Sequence, residues 1–251
     1  MSDKIQIIKL KKSFADKTIL SGTSLNVREG EIFSIIGKSG TGKSVILKHL
    51  IGLLKPDGGE IIVDNVDYTK ADESSRINIE SKYGVLFQGA ALFDSMNIFD
   101  NVAFGLRRIK TPENEIKNIV HDMLERVGLR DIDGKYPHEL SGGMQKRVGL
   151  ARSIALRPEI MLYDEPTTGV DPIVASAVDD LIVRMRDSFG VTSILVTHDM
   201  KSAIKISDRI SMLYEGRIIV SGTPDEIIHS DNQYLKQFIE GRSGGPIKTV
   251  E

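Results

Sequence analysis

Two short segments of this 251-residue chain combine residue types that handle phosphate. Gly37-Lys38-Ser39-Gly40-Thr41-Gly42-Lys43-Ser44 fits the pattern G-x-x-x-x-G-K-[ST]. Its glycines let consecutive backbone N–H groups curl around phosphate oxygens, and Lys43 brings a mobile point charge to the β and γ phosphates. Ser44 offers its hydroxyl to Mg²⁺. The second segment, Ile160-Met161-Leu162-Tyr163-Asp164-Glu165, is an apolar strand that ends in two carboxylates. Such a strand delivers its last side chains to the carboxyl edge of a parallel sheet, where ligands bind. Beside a phosphate loop, Asp164 is expected to hold Mg²⁺ through its water shell, and Glu165 to act as general base on an attacking water. The chemistry this points to is phosphoryl transfer from a bound nucleotide to water.

Both segments need a sheet to stand on, and the hydrophobic pattern supplies one. Ile32 to Ile36 is a short apolar run that enters the glycine loop, and beyond it Ile46, Leu50, Leu53 and Leu54 recur at helical spacing. Before it, Ile5, Ile7, Ile8 and Leu10 interleave with polar residues, and Leu20, Leu25 and Val27 suggest further strands. A hairpin is expected around Asp57-Gly58-Gly59, with Ile61 and Val63 in the returning strand. From about Asn97 to Ala155 the pattern is helical. Thr111 reads there as an N-cap with Pro112 at the first helical position, leading a stripe of Ile116, Ile119, Val120, Met123, Leu124 and Val127. The strand-helix alternation then resumes: Ile160 to Tyr163, a helix capped by Asp171 with Pro172 behind it, and Ser193 to Val196. Parallel α/β architecture follows. Ile210 to Val220 reads as a closing hairpin, Pro224 starts a short last helix, and the segment from Gly241 reads as a loose polar tail.

Composition narrows the function classes. With 40% hydrophobic and 27% charged residues the chain has the make-up of a globular domain, which argues against disorder or coiled coil. A net charge of −2 leaves no basic field to hold nucleic acid, so no nucleic-acid partner is expected. The absence of cysteine excludes disulfides, thiolate metal sites and cysteine nucleophiles. The segment Met1 to Phe14 lacks the apolar core of a signal peptide, and no apolar stretch reaches the length of a spanning helix, so any membrane role is expected to run through a partner.

A third segment, Leu140-Ser141-Gly142-Gly143-Met144-Gln145, resembles the signature of ABC-type ATPases. Together with the phosphate loop and the Asp-Glu strand it implies membership of that family. The expected fold is therefore a RecA-like P-loop ATPase core with an antiparallel β subdomain and an inserted α-helical subdomain. The resemblance places the ATPase domain at residues 1–240, the helical subdomain at about 89–156, and a polar tail at 241–251. It also implies ATP as the nucleotide and a homodimer in which Ser141, Gly142 and Gly143 face the γ-phosphate held by the opposite subunit. An exposed Ser-Gly-Gly at a helix N-terminus is a fitting anion site. Met144 stands where the family usually has glutamine.

Single residues match the family by order and context. Gln88 resembles the glutamine that senses Mg²⁺ or the water, Asp171 the aspartate that crosses the dimer interface, and His198 the histidine that holds the γ-phosphate and orients Glu165. Phe14 resembles the aromatic that stacks on adenine. The remaining histidines, His49, His121, His138 and His229, show no metal-ligand spacing.

Finer features narrow the family. Tyr136-Pro137-His138-Glu139 before the signature looks like importer-type and lipid-handling ATPases. The run from Leu86 to Phe104, the form Ser141-Gly142-Gly143-Met144 and the tail from Gln237 are similar to the ATPases of Mla and other MCE-type bacterial lipid transporters. That resemblance implies a peripheral subunit on the cytoplasmic face of the inner membrane. It would drive integral-membrane permease subunits, an MCE lipid-binding protein and a small cytoplasmic accessory subunit. The alternative is the ATPase of an importer for amino acids or similar solutes, and the less favoured reading is a soluble ABC ATPase without a transporter. Phe93, Met96, Ile98, Phe99 and Phe104 read equally as core residues or, being several on one loop, as a groove that receives a helix of a membrane subunit.

Overall fold

The computed structural model describes residues 2–248, and the chain divides into two compact units, 1–81 with 194–251, and 82–193. Each is described by itself.

The first unit begins with β1 (Asp3–Phe14), β2 (Lys17–Arg28) and β3 (Ile32–Ile36), followed by α1 (Lys43–Leu50), β4 (Gly58–Val63), β5 (Val66–Asp67) and α2 (Glu73–Glu80). The second holds β6 (Tyr83–Leu86), α3 (Ile98–Arg108), α4 (Glu113–Arg126), α5 (Gly142–Ile154), β7 (Ile160–Asp164) and α6 (Pro172–Phe189). The strand β8 (Thr192–Thr197) leads back into the first unit. That unit then closes with α7 (Met200–Ile206), β9 (Arg209–Tyr214), β10 (Arg217–Gly222), α8 (Pro224–Ile228) and α9 (Gln233–Glu240).

Two sheets serve the first unit. One is antiparallel, in the order β2-β1-β4-β5, and its alternating residues Ile5, Ile7, Leu10, Leu20, Val27, Ile61 and Val63 are buried. The other carries β10-β9-β3-β8 in that order, with β3 parallel to β9 from Phe33↔Arg209 to Ile36↔Met212. All five residues of β3 and all six of β8 are buried, as a strand covered on both faces must be. In the second unit β6 runs parallel to β7, from Tyr83↔Ile160 to Leu86↔Tyr163, and α3, α4 and α5 pack on one another.

Four local readings change on contact with the structure. The hairpin of the antiparallel sheet turns at Asp64-Asn65, both at positive φ (49° and 63°), and β4 reaches β1 rather than a neighbour across Asp57-Gly58-Gly59. Two adjacent left-handed residues are what a tight two-residue hairpin requires. Pro112 is the N-cap of α4 rather than its first residue, because the Thr111 amide is already committed to Leu106 O, where it closes α3. The chain does not end its helices at α8, since α9 follows, capped by Asn232 and stopped by Gly241 at φ 63°.

The tail is also held rather than loose through Lys248; residues 249–251 lie outside the described residues. Gln237, itself buried, donates from Nε2 to Arg242 O (3.2 Å) and Ile247 O (3.1 Å) and accepts from Ile247 N at 2.7 Å. Ile247 thereby joins a cluster with Ile36, Ala203, Ile210, Met212, Ile227 and Leu235. Burying such a side chain contributes roughly 1.5–3 kcal/mol, enough to hold a segment whose own composition promises nothing.

Candidate nucleotide site

The phosphate loop leaves β3 and turns into α1. Gly37, Gly40 and Gly42 sit at φ 153°, 80° and 103°. A Cβ at Gly37 would come within 2.5 Å of the Leu213 carbonyl, and one at Gly42 within 2.7 Å of Ile19, so both positions need a residue without a side chain. Lys43 opens α1 and is buried, its Nζ donating to Gly37 O (2.8 Å) and Lys38 O (3.2 Å). Thr41 donates its hydroxyl to Lys38 O at 2.8 Å. The ammonium is thus placed against the carbonyls of Gly37 and Lys38, with Ser39 and Gly40 in the same loop and Ser44 following Lys43 in α1. Phe14 stands at the end of β1, 44% exposed, with the Lys12 ammonium 5.5 Å from its ring centre. Lys12 also pairs with Asp57 at 2.8 Å, and that contact holds the Asp57 carboxyl below its usual range. His198 follows directly on β8 with an exposed side chain.

The second unit carries the carboxylates. Asp164 ends β7 half-buried, and Glu165 follows it, buried, at φ 49°. A left-handed glutamate is costly and persists only where its surroundings over-determine it. Thr168 donates its hydroxyl to Glu165 Oε2 (3.0 Å) and its amide to Glu165 O (3.2 Å). Gln88 lies exposed just beyond β6.

Ser141 caps α5, accepting from Met144 N at 3.3 Å, while Gly142 is exposed with open space around it. Gly143 is buried, and a Cβ there would strike Val174 at 2.4 Å, so the second glycine serves the packing of α5 on α6. Gln145 reaches back to Pro137 O (2.9 Å) and Leu140 O (3.3 Å), fixing the turn that leads into the segment. Asp171 caps α6 through the amides of Ile173 and Val174, both at 3.0 Å.

The family model described as ABC transporter matches residues 20–168, more than half of the chain. This chain belongs to the ABC transporter ATPase family. The "Probable ribonucleotide transport ATP-binding protein mkl" of Mycobacterium leprae is 41% identical over 98% of this chain and 72% of its own length. The intermembrane phospholipid transport system ATP-binding protein MlaF of Haemophilus influenzae is 38% identical over 97% and 93%. A dimeric ATP-binding cassette solved in a post-hydrolysis state with ADP and Pi superimposes with a TM-score of 0.79 at 29% identity, covering 88% of this chain and 98% of that one. The chain is the ATP-binding, ATP-hydrolysing subunit of an ABC transporter, with the RecA-like fold of that family. Such subunits dimerise and work with membrane permease components. No described helix is long and apolar enough to cross a membrane.

The structure adds residues to this ABC subunit that pattern reading passes over. α5 holds the Gln88 segment along its length: Lys146 Nζ donates to Gln88 O at 3.0 Å, Arg152 to Ala90 O (2.8 Å) and Ala91 O (2.7 Å), and Ser153 to Val85 O at 2.6 Å. Ala90 and Ala91 are both left-handed, at φ 59° and 49°, and need such donors. Burial pushes the pKa of Lys146 and of Arg152 below the usual range, the Glu165 carboxylate opposing this at Lys146. The available signal was periodicity: Lys146 falls on the buried stripe of α5, three residues after Gly143 and four before Leu150.

Proposed function

We propose that Gly37, Lys38, Ser39, Gly40, Thr41, Gly42, Lys43 and Ser44 hold the phosphates of ATP, and that Glu165 takes the proton of the attacking water. The observation that carries this reading is the buried Lys43 ammonium, set inside a turn where a side chain at Gly37 or Gly42 would collide. Ser44, Asp164 and Gln88 each carry a side-chain oxygen, the ligand type that suits a hard cation, so these residues would hold Mg²⁺. That ion, when bound, neutralises charge on the phosphate oxygens. Phe14 stacks on the adenine, its ring exposed for the purpose. His198 holds the γ-phosphate. Glu165 receives the proton of the water while Thr168 fixes one of its oxygens.

Ser141, Gly142 and Gly143 complete the site of a second copy, and Asp171 crosses to it. The open space at Gly142 and the 83% exposure of Ile173, beside Asp171, suit a surface that another copy covers. The ATPase domain is taken as 1–240 with the helical part at about 89–156 and the tail at 241–251.

The transported cargo is phospholipid, moved between membranes with an MCE-type permease, an MCE lipid-binding protein and a small cytoplasmic accessory subunit, the ATPase sitting on the cytoplasmic face of the inner membrane. The support is the likeness to MlaF over nearly the whole of both chains. A permease helix docks in the cavity of about 570 Å³ lined by Met96, Asp100, Phe104, Arg107 and Arg108. Phe93 packs against Phe104 with ring centres 4.7 Å apart and planes tilted by 46°, both about 40% exposed, whereas Ile98 is fully buried. Phe99 instead packs edge-on against His121 under Arg107. The name of the mycobacterial relative favours a second reading, transport of a small solute. Deleting the gene separates them: disturbed phospholipid placement and detergent sensitivity without auxotrophy are expected, and an intact envelope with failed solute uptake selects the second.

A further inference from the structure

Lys146 is 6% exposed on a helix whose other interior positions are apolar or small. Placing an ammonium there is unfavourable unless its donors are used, and an apolar side chain of the same length would fill the position without that cost. Among the described residues it makes no ion pair. Its two acceptors are main-chain oxygens from distant parts of the second unit, Gln88 O at 3.0 Å and Glu165 O at 3.5 Å. Those two residues are the glutamine and the base of the proposed reaction, and Glu165 is the one whose backbone is left-handed. The lysine belongs to the helix that Ser141 caps, one turn from that cap.

We infer that Lys146 is a positioning residue for hydrolysis: its ammonium pins the carbonyls of Gln88 and Glu165 to one point on the signature helix. The base then has a fixed direction, and any displacement of the helix that carries Ser141 is passed to Gln88 and Glu165 together. The contact is to the carbonyl and so sets the backbone of Glu165 rather than its carboxylate. This inference rests on the reading of Glu165 as the base.

The test uses the whole purified chain in three variants, with single-turnover hydrolysis, ATP affinity and melting temperature measured on each. Lys146→Met keeps length and volume and removes the donors; the hydrolysis rate is expected to fall about 10- to 100-fold, the cost of a slightly misdirected base, with ATP affinity within about 3-fold. The melting temperature should stay level or rise, because a buried charge has gone. Lys146→Arg restores charge and donors and should recover most of the rate. A parental rate in Lys146→Met overturns the inference, as does a loss that follows the melting temperature and is not rescued by arginine. Glu165→Gln is the reference: if it hydrolyses ATP normally, the reading of the base has failed. If it is dead while Lys146→Met is fully active, only the role of Lys146 has failed.

Discussion

Thr168 donates its hydroxyl to Glu165 Oε2 at 3.0 Å from three residues downstream, so the side chain of the base is directed by its own turn. A glutamine in that position keeps the shape and the hydrogen bond and loses the ability to take a proton. Glu165→Gln is therefore expected to bind ATP and to accumulate as a closed dimer while turnover fails by about 100-fold or more. Size-exclusion chromatography with Mg²⁺ and ATP reads the dimer, and phosphate release reads the loss. Full activity, or loss of nucleotide affinity, would contradict the assignment.

Lys43→Ala removes the cation that the phosphate loop encloses. Turnover should drop by about 100- to 1,000-fold, the range for one preorganised charge-stabilising group. Circular dichroism should not change, and that control separates lost chemistry from lost folding. Wild-type turnover by this variant would remove the loop from the mechanism.

The absence of cysteine makes one experiment unusually clean. Ser39→Cys and Ser141→Cys, introduced together in the same chain and oxidised in the presence of ATP, should give a crosslink between chains. Gel mobility distinguishes this from a bond within one chain, which forms only if the head-to-tail arrangement is wrong. Disulfide geometry tolerates Cα separations only up to about 7 Å, so the result reports close approach.

Docking is tested at Phe104, which lines the cavity beside Met96 and Asp100. Phe104→Asp should weaken association with the permease by ~2 kcal/mol or more, since a carboxylate would be desolvated where a ring had packed. Nucleotide binding by the isolated subunit should survive. Co-purification from detergent-solubilised membranes measures the first, and a nucleotide titration the second.

His49 gives the chain a titration visible in stability. It is fully buried in α1 with Nδ1 2.7 Å from Val45 O, and burial lowers its pKa below the ordinary 6.5. A depressed value means that the fold prefers the neutral ring. Its contribution is whole above the unfolded pKa and is lost as pH falls toward the folded one. The melting temperature of the parent should therefore decline relative to that of His49→Gln between about pH 7.5 and about pH 5.5. Parallel curves would show that His49 does not titrate there.

How much of this was legible in the sequence depends on how local each device is. The phosphate loop and the capped start of α6 at Asp171 are written in consecutive residues, and the structure shows the local reason: collision at Gly37 and Gly42, amide acceptance at Asp171. Gly143 looked like part of an anion cradle, and its tightest constraint turns out to be Val174, thirty-one positions away and invisible to motif reading. Lys146 shows the same limit, its partners lying 58 and 19 residues away. The Asp64-Asn65 turn lost to the more conspicuous Asp57-Gly58-Gly59, because glycine signals flexibility whether or not a hairpin uses it. The tail was misread because composition describes a segment in isolation, and Gln237 supplies the missing partner.

That anchoring has a consequence for biosynthesis. Ile247 shares a cluster with Ile36, the residue that hands the chain to Gly37, so the strand beneath the phosphate loop is fully packed only once residue 247 has been made. The unit 82–193 is continuous and is synthesised without interruption, whereas the other unit is assembled from residues 1–81 and 194–251. Because domains form as units during translation, the carboxylate-bearing unit can mature while the phosphate-binding unit is still waiting for residues 194–247. A nascent subunit stalled before residue 247 would carry the base without a finished cradle, so competence to engage ATP waits on the synthesis of that residue.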